Sequence, residues 1–160
     1  MRKNFFTVFV LINFCCGFAQ KHNTINKNGL TINGIIFKIN SGNNDVPLIL
    51  KTFGQPDSIE DYFFEIDNVM GKKYTYNNGL ILYVTNNSLE SFEITGKSYL
   101  FSPKNIKVGD TISSLETKFP NSYKSRSNLV LKLNYLNWDA GFLIEYNASG
   151  IVRKISFYKP

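Results

Sequence analysis

Between residues 57 and 67 the chain carries five acids and no base: Asp57, Glu60, Asp61, Glu65 and Asp67. Paired carboxylates at such spacing can serve as the acid and base of a glycosidase, or as oxygen ligands for Ca²⁺. Asp57 with Asp61, or Glu60 with Asp61, are the pairs that would converge if this stretch curled. No D-x-D-x-D-G spacing is present, and Tyr62-Phe63-Phe64 interrupts the run. The segment therefore reads first as a solvated loop and strand edge. No metal and no cofactor is expected.

Other chemistry is limited by what the chain lacks. Its one histidine is His22, and both cysteines, Cys15 and Cys16, lie near the start. No G-x-S-x-G, phosphate-binding loop or dinucleotide fingerprint occurs. Ser113-Ser114 has no histidine or lysine base beside it. Enzymatic function is not expected, and a carboxylate-dependent hydrolase is the weakest alternative. Seven bases (Lys97, Lys104, Lys107, Lys118, Lys124, Arg126 and Lys132) face only Asp110 and Glu116 in the later segment. That basic stretch reads as a solvated face, with no nucleic-acid partner expected, because aromatics are not interleaved as an RNA-binding pattern requires.

Aromatic residues are the remaining candidates. Tyr74-x-Tyr76 puts two rings on one face of a strand, Tyr135 closes a later strand, and Trp138 precedes the turn Asp139-Ala140-Gly141. Tyr74, Tyr76, Tyr135 and Trp138 are the expected partner-binding anchors on an uncovered sheet face, since tyrosine and tryptophan dominate binding hot spots. The competing expectation is that such rings fill the core.

These groups must be carried on something, and the first 19 residues are not part of it. Arg2 and Lys3, an apolar run from Phe5 to Cys16 of about 12 residues, and Gly17-Phe18-Ala19 read as an export signal cleaved before Gln20, too short for a membrane span. Lipid attachment at Cys15 or Cys16 is the alternative, and membrane contact is expected only in that case. The product would be periplasmic or secreted. Removing the two leader bases takes the formal charge from +6 to +4, with 16 bases against 12 acids. Residues 20–29, polar and aperiodic, read as a flexible lead-in.

The remainder, 30–160, reads as one α+β domain of two repeats, about 30–97 and 98–160. Val46, Ile49 and Phe53 lie at helical spacing, with Asp45 or Asn44 as the cap, Pro47 in the first turn and Gly54 as the stop. Ile112, Leu115 and Phe119 recur at the same intervals, 66 residues on, with Pro120 as the stop. Each predicted helix precedes a meander of alternating strands. Lys73–Tyr76, Leu80–Thr85 and Leu89–Ile94 make the first; Val130–Tyr135, Phe142–Tyr146 and Ile151–Tyr158 make the second. Gly79 maps to Gly141 at an offset of 62 and Ile94 to Phe157 at 63. Leu30–Ile39 and Ser98–Phe101 are further strand candidates. The expected architecture is an antiparallel sheet built from the two meanders, with the two short helices packed on one face.

With these motifs, Phe53-Gly54-Gln55-Pro56-Asp57 after the first helix, Ile106-Lys107-Val108-Gly109-Asp110-Thr111 before the second, and the pair Gly141-Phe142-Leu143-Ile144 and Val152-Arg153-Lys154-Ile155, the chain resembles small exported helix-plus-sheet modules. These are typified by β-lactamase inhibitor proteins and SmpA/OmlA-type outer-membrane assembly lipoproteins. The resemblance spans roughly residues 35–158. Two departures stand out: the second helix ends in Phe119-Pro120-Asn121-Ser122, and the inhibitors' cysteine pairs are missing. The resemblance implies a non-catalytic module that binds another envelope or secreted protein. A small-ligand or glycan binder using the aromatics and the acidic 57–67 segment is the alternative.

Overall fold

The structure is a computed structural model that describes residues 22–26, 30–36, 45–102, 104–136 and 140–158. The expected leader, Cys15 and Cys16 included, and Trp138 lie outside the described residues. In chain order the elements are β1 (Thr24–Ile25), β2 (Thr31–Ile32), β3 (Ile35–Ile36), α1 (Val46–Phe53), β4 (Ser58–Phe64), β5 (Val69–Tyr76), β6 (Leu80–Thr85), β7 (Ser88–Ile94) and β8 (Phe101–Ser102). A 3₁₀ turn (Ile112–Leu115), α2 (Pro120–Lys124), β9 (Val130–Tyr135), β10 (Gly141–Tyr146) and β11 (Val152–Tyr158) follow.

The fold is α+β and dominated by one eight-stranded sheet in the order β1-β9-β10-β11-β7-β6-β5-β4, with a small sheet β3-β2-β8 beside it. The two meanders meet through β7 and β11, antiparallel, at Ile94↔Ile155 and Glu93↔Ser156. The sheet is mixed rather than purely antiparallel, because β1 runs parallel to β9 at Thr24↔Asn134 and Ile25↔Tyr135. Thus part of the stretch read as a flexible lead-in is a strand. Ile25 is buried, and Asn23 exchanges two hydrogen bonds with Ser122, from the Asn23 backbone N–H to Oγ at 2.8 Å and from the Ser122 N–H to Asn23 Oδ1 at 3.0 Å. One apolar residue, one reciprocal side-chain clamp and backbone bonds from Asn134 N–H to Asn23 O at 2.9 Å and from Leu136 N–H to Ile25 O at 3.1 Å hold the segment, and polar composition conceals them.

Alternation along the strands places Leu80, Leu82, Phe92, Ile94, Phe142 and Ile155 in one core. Ile49 of α1, Phe101 of β8, and Ile112, Leu115 and Phe119 share it. α1 forms as expected, with proline in its first turn and Gly54 at φ 80° after it. Asp45, however, makes no side-chain cap. Its carboxylate accepts the Leu89 N–H at 3.0 Å, and its own N–H donates to Asn87 O at 2.7 Å, so it ties the helix start to the β6–β7 turn.

The second helix differs from expectation. Ile112–Leu115 is a single 3₁₀ turn, and Pro120 opens α2 instead of closing a longer helix. Phe119 is held at φ −140°, outside helical range, and a proline without N–H costs nothing in a first turn. The apolar triplet is buried all the same, whereas α2 buries only Ser122.

Candidate functional site

Residues directly opposite on neighbouring strands share a face. On the outer side of the sheet, away from the core residues above, Glu60 faces Lys73, Lys73 faces Tyr83, and Tyr83 faces Ser91. Two residues further along β7, Glu93 faces Ser156, and Ser156 faces Leu143. At the β4–β5 end this face is hollowed into a groove of about 460 Å³. Tyr62, Phe64 and Tyr83 form an aromatic wall, and Glu65, Asp67, Glu90 and Glu93 also line it, together with Ser91 and Phe157.

Two local features make room for the groove. Gly71 lies opposite Tyr62 on β5. With no side chain there, the Phe64 ring lies where a Cβ would be, 2.7 Å from that position. Tyr62 then packs edge-on against Phe64, with centroids 4.9 Å apart, and against Tyr83 at 4.7 Å. At the other wall the paired residues of β7 and β11 stop at Glu93↔Ser156. Beyond that point the Ser91 hydroxyl bridges to Phe157 O at 2.9 Å. A register shift between Tyr83 and Val84 makes Glu90 the extra residue of β7, and Glu90 accepts the Thr85 hydroxyl at 2.7 Å.

The electrostatics are locally acidic: among the lining residues are four carboxylates and no cationic side chain. Tyr83 donates to Glu93 Oε1 at 3.1 Å, and Lys154 Nζ meets the other oxygen of Glu93 at 2.8 Å. Burial first, and then the Glu93 charge and hydrogen bond, push the Tyr83 phenol well above its ordinary range. It therefore stays a neutral donor at physiological pH.

The pairs expected from the sequence, Asp57 with Asp61 and Glu60 with Asp61, are each tied to separate partners, whereas Glu65 and Asp67 line the groove together. Asp57 Oδ2 accepts the Asn77 N–H at 2.7 Å and so fastens the β5–β6 turn. Glu60 and Asp61 are consecutive in β4 and point to opposite faces, each on a lysine of β5: Lys73 at 3.3 Å and Lys72 at 2.5 Å. No group of three or more metal-ligating side chains is assembled among the described residues. The later bases are spread over loops, the end of α2 (Lys124) and the surface of β9 (Lys132); Arg126 stacks on the Tyr123 ring at 3.6 Å.

The expected anchors are placed differently. Tyr76 is 4% exposed and Tyr135 1% exposed. Tyr76 packs on Phe53 and donates to Gly54 O at 3.2 Å, and Tyr135 lies edge-on to Phe142 and Phe157, both at 5.6 Å. Neither ring can meet a partner, which corrects their assignment to an open face. Burial lifts the Tyr76 phenol to about 12, and also raises those of Tyr99 and Tyr135. Tyr74 is half-buried, packed against the same core, at the rim of a second hollow of about 430 Å³ beside Asp61, Lys72 and Val84. Among the described residues the exposed aromatics are Tyr62 and Phe63. The Tyr62-Phe63-Phe64 run and Tyr83, inside the apolar LILYVT, were the available signals for the groove.

Exposure is concentrated in one hairpin. Of seven large hydrophobic side chains exposed among the described residues, five (Ile59, Tyr62, Phe63, Ile66 and Met70) belong to β4, β5 or their connection. Ile66 reaches 69% and Met70 58%. β4 is also the end of the sheet.

No protein-family model matches the chain, and no curated protein does. Among solved structures, the chain is similar to the crystal structure of an extracellular protein containing an SCP domain from Bacillus anthracis str. Ames, at 9% identity and a TM-score of 0.43. The match covers 71% of this chain and 42% of that one, so the chain spans less than half of that protein's length.

Proposed function

We propose that the protein is an exported, non-catalytic binding module that engages another envelope or secreted protein through the β4–β5 hairpin and the outer face beside it. The observation that carries this reading is the coincidence of the exposed apolar side chains with β4, the terminal strand of the sheet among the described residues. Isolated exposed apolar residues are ordinary, but five on one hairpin, with Ile59, Phe63 and Met70 on one face, Tyr62 on the other and Ile66 at the connection, mark an interaction region. Export is supported by the basic and apolar leader; no helix among the described residues is long and apolar enough to cross a membrane. The kinship with β-lactamase inhibitor proteins and SmpA/OmlA-type lipoproteins belongs to the same proposal. So does the duplication, which draws support from the seam. At an offset of 63, Glu93 corresponds to Ser156, and these two residues pair with each other across β7 and β11.

Photo-crosslinking in native cells tests the reading. A crosslinking residue at Phe63 should yield an adduct with another polypeptide, and one at Lys132, at the far end of the outer face, should not. Adducts from position 132 alone, or from neither position, would refute it. The aromatic-walled groove of about 460 Å³ favours a second reading, a small-ligand or glycan binder. A saccharide that raises the melting temperature, with no polypeptide adduct at 63, would select that reading.

A further inference from the structure

We infer that β4 and the groove together accept an extended, basic segment of another polypeptide, added to the sheet as a ninth strand with cationic side chains against the aromatic–carboxylate wall. This rests on the binding reading above and specifies the partner's chemistry. The backbone supplies the first part of the argument. β4 is seven residues long and pairs with β5 in unbroken register from Ser58↔Thr75 to Phe64↔Val69. Among the described residues no strand pairs with its outer edge. Edges are protected by charged side chains, proline or a bulge; SIEDYFF has neither proline nor bulge, and its two charges, Glu60 and Asp61, already lie on Lys73 and Lys72 of β5. Strand addition on such an edge draws affinity from main-chain hydrogen bonds and specificity from alternate side chains.

Charge supplies the second part. On the outer face an added strand runs beside Glu60, Tyr62 and Phe64, and on the inner face beside Ile59, Asp61 and Phe63. Past Phe64 the outer face continues into the groove, lined by four carboxylates, of which Glu93 is paired with Lys154 while Glu65 and Asp67 stand exposed, in a chain whose formal charge is +6. Ammonium and guanidinium groups are attracted both by carboxylates and by the faces of aromatic rings. A second copy of this chain fits poorly: a β4–β4 pair centred on Glu60 and Asp61 sets like charges together, and in every register SIEDYFF brings no cationic side chain to the groove. The occupant is therefore apolar and basic in alternation.

The test uses the folded chain, ¹⁵N-labelled, titrated with a peptide of alternating lysine and valine, its glutamate–valine counterpart, and Nα-acetyl-lysine amide. The lysine peptide should give saturating amide shifts confined to residues 58–72 and 90–93, and bind about tenfold more tightly than the glutamate peptide. The substitution Glu65→Lys, at an exposed position, should weaken it about fivefold or more and leave melting unchanged. Equal binding of both peptides, or shifts outside residues 58–72 and 90–93, overturns the inference. So does equal binding of the acetyl-lysine amide, which would make the groove a small-cation site, or a dimer in sedimentation whose amide shifts lie on β4. An adduct at Phe63 in cells without peptide discrimination defeats this inference and leaves the binding module standing; absence of both defeats both.

Discussion

Replacing Gly71 with alanine tests the packing that shapes the groove. A Cβ at this position lies 2.4 Å from Val84 O, 2.7 Å from Phe64 Cε2 and 2.9 Å from Thr85 Cγ2. Non-bonded carbon contacts are comfortable at about 3.5–4.0 Å, so these separations are short by about 1 Å. The nearest atom is a main-chain carbonyl of β6, whose retreat would pull on the β5–β6 ladder. The Phe64 ring could swing away, but only by giving up its contact with Tyr62. Overpacking of this kind costs about 1–3 kcal/mol. It acts against the gain of about 0.5–1 kcal/mol that alanine brings over glycine inside a strand. A net loss of about 1–2 kcal/mol corresponds to a fall of about 3–8 °C in Tm for a domain of this size. Thermal melting gives the stability, and ring-proton NMR shifts of Tyr62, Phe64 and Tyr83 give the local effect. Combining Gly71→Ala with Phe64→Ala should recover part of the loss, because the alanine methyl then occupies the ring's place. An unchanged melting temperature with unchanged ring shifts would refute the reasoning, since it would mean that the wall does not rest on the bare backbone of β5.

Other perturbations separate the core from the surface. Asp45→Ala should cost about 1–3 kcal/mol in urea unfolding, because the Leu89 N–H loses its acceptor, and Asp45→Asn, which keeps an acceptor oxygen, should cost less. Tyr76→Ala and Tyr135→Ala should each cost about 3–5 kcal/mol, whereas Tyr62→Ala should shift melting by a fraction of that; near-neutral effects at Tyr76 and Tyr135 would return them to the surface. Alkaline stability follows from the buried phenols. The folded Tyr76 titrates near 12, above the ordinary 10, so the fold binds this proton more tightly than the unfolded chain does. Its contribution is complete below pH about 10 and is lost as pH rises through about 12. Melting temperature should decline across that window, less steeply in Tyr76→Phe. Phenolate absorbance that completes near pH 10.5 with the fold intact would contradict it.

Much of the local structure was legible in the residues. Leu80–Thr85 and Val130–Tyr135 form at their expected bounds, because alternating apolar residues between turn formers describe a strand and little else. α1 was equally explicit, with proline, helical spacing and a glycine stop in order. Pro120 misled because proline both bars a helix interior and suits a first turn; the non-helical backbone of Phe119 selects the second role here.

Period-two alternation states that a strand has two faces and is silent on which face will be covered. Tyr76 and Tyr83 look alike along the chain, yet one is in the core and the other beside the groove. The difference arises from where α1 and β8 settle, through contacts such as Phe53 with Tyr76 and Phe92 with Phe101. The β7–β11 seam and the β1–β9 pairing join residues far apart in sequence. Local propensity carries no information about such pairings; they form because burying both meanders over one core removes more apolar surface from water than either achieves alone. The free edge of β4, and with it the proposed binding region, is a consequence of that assembly.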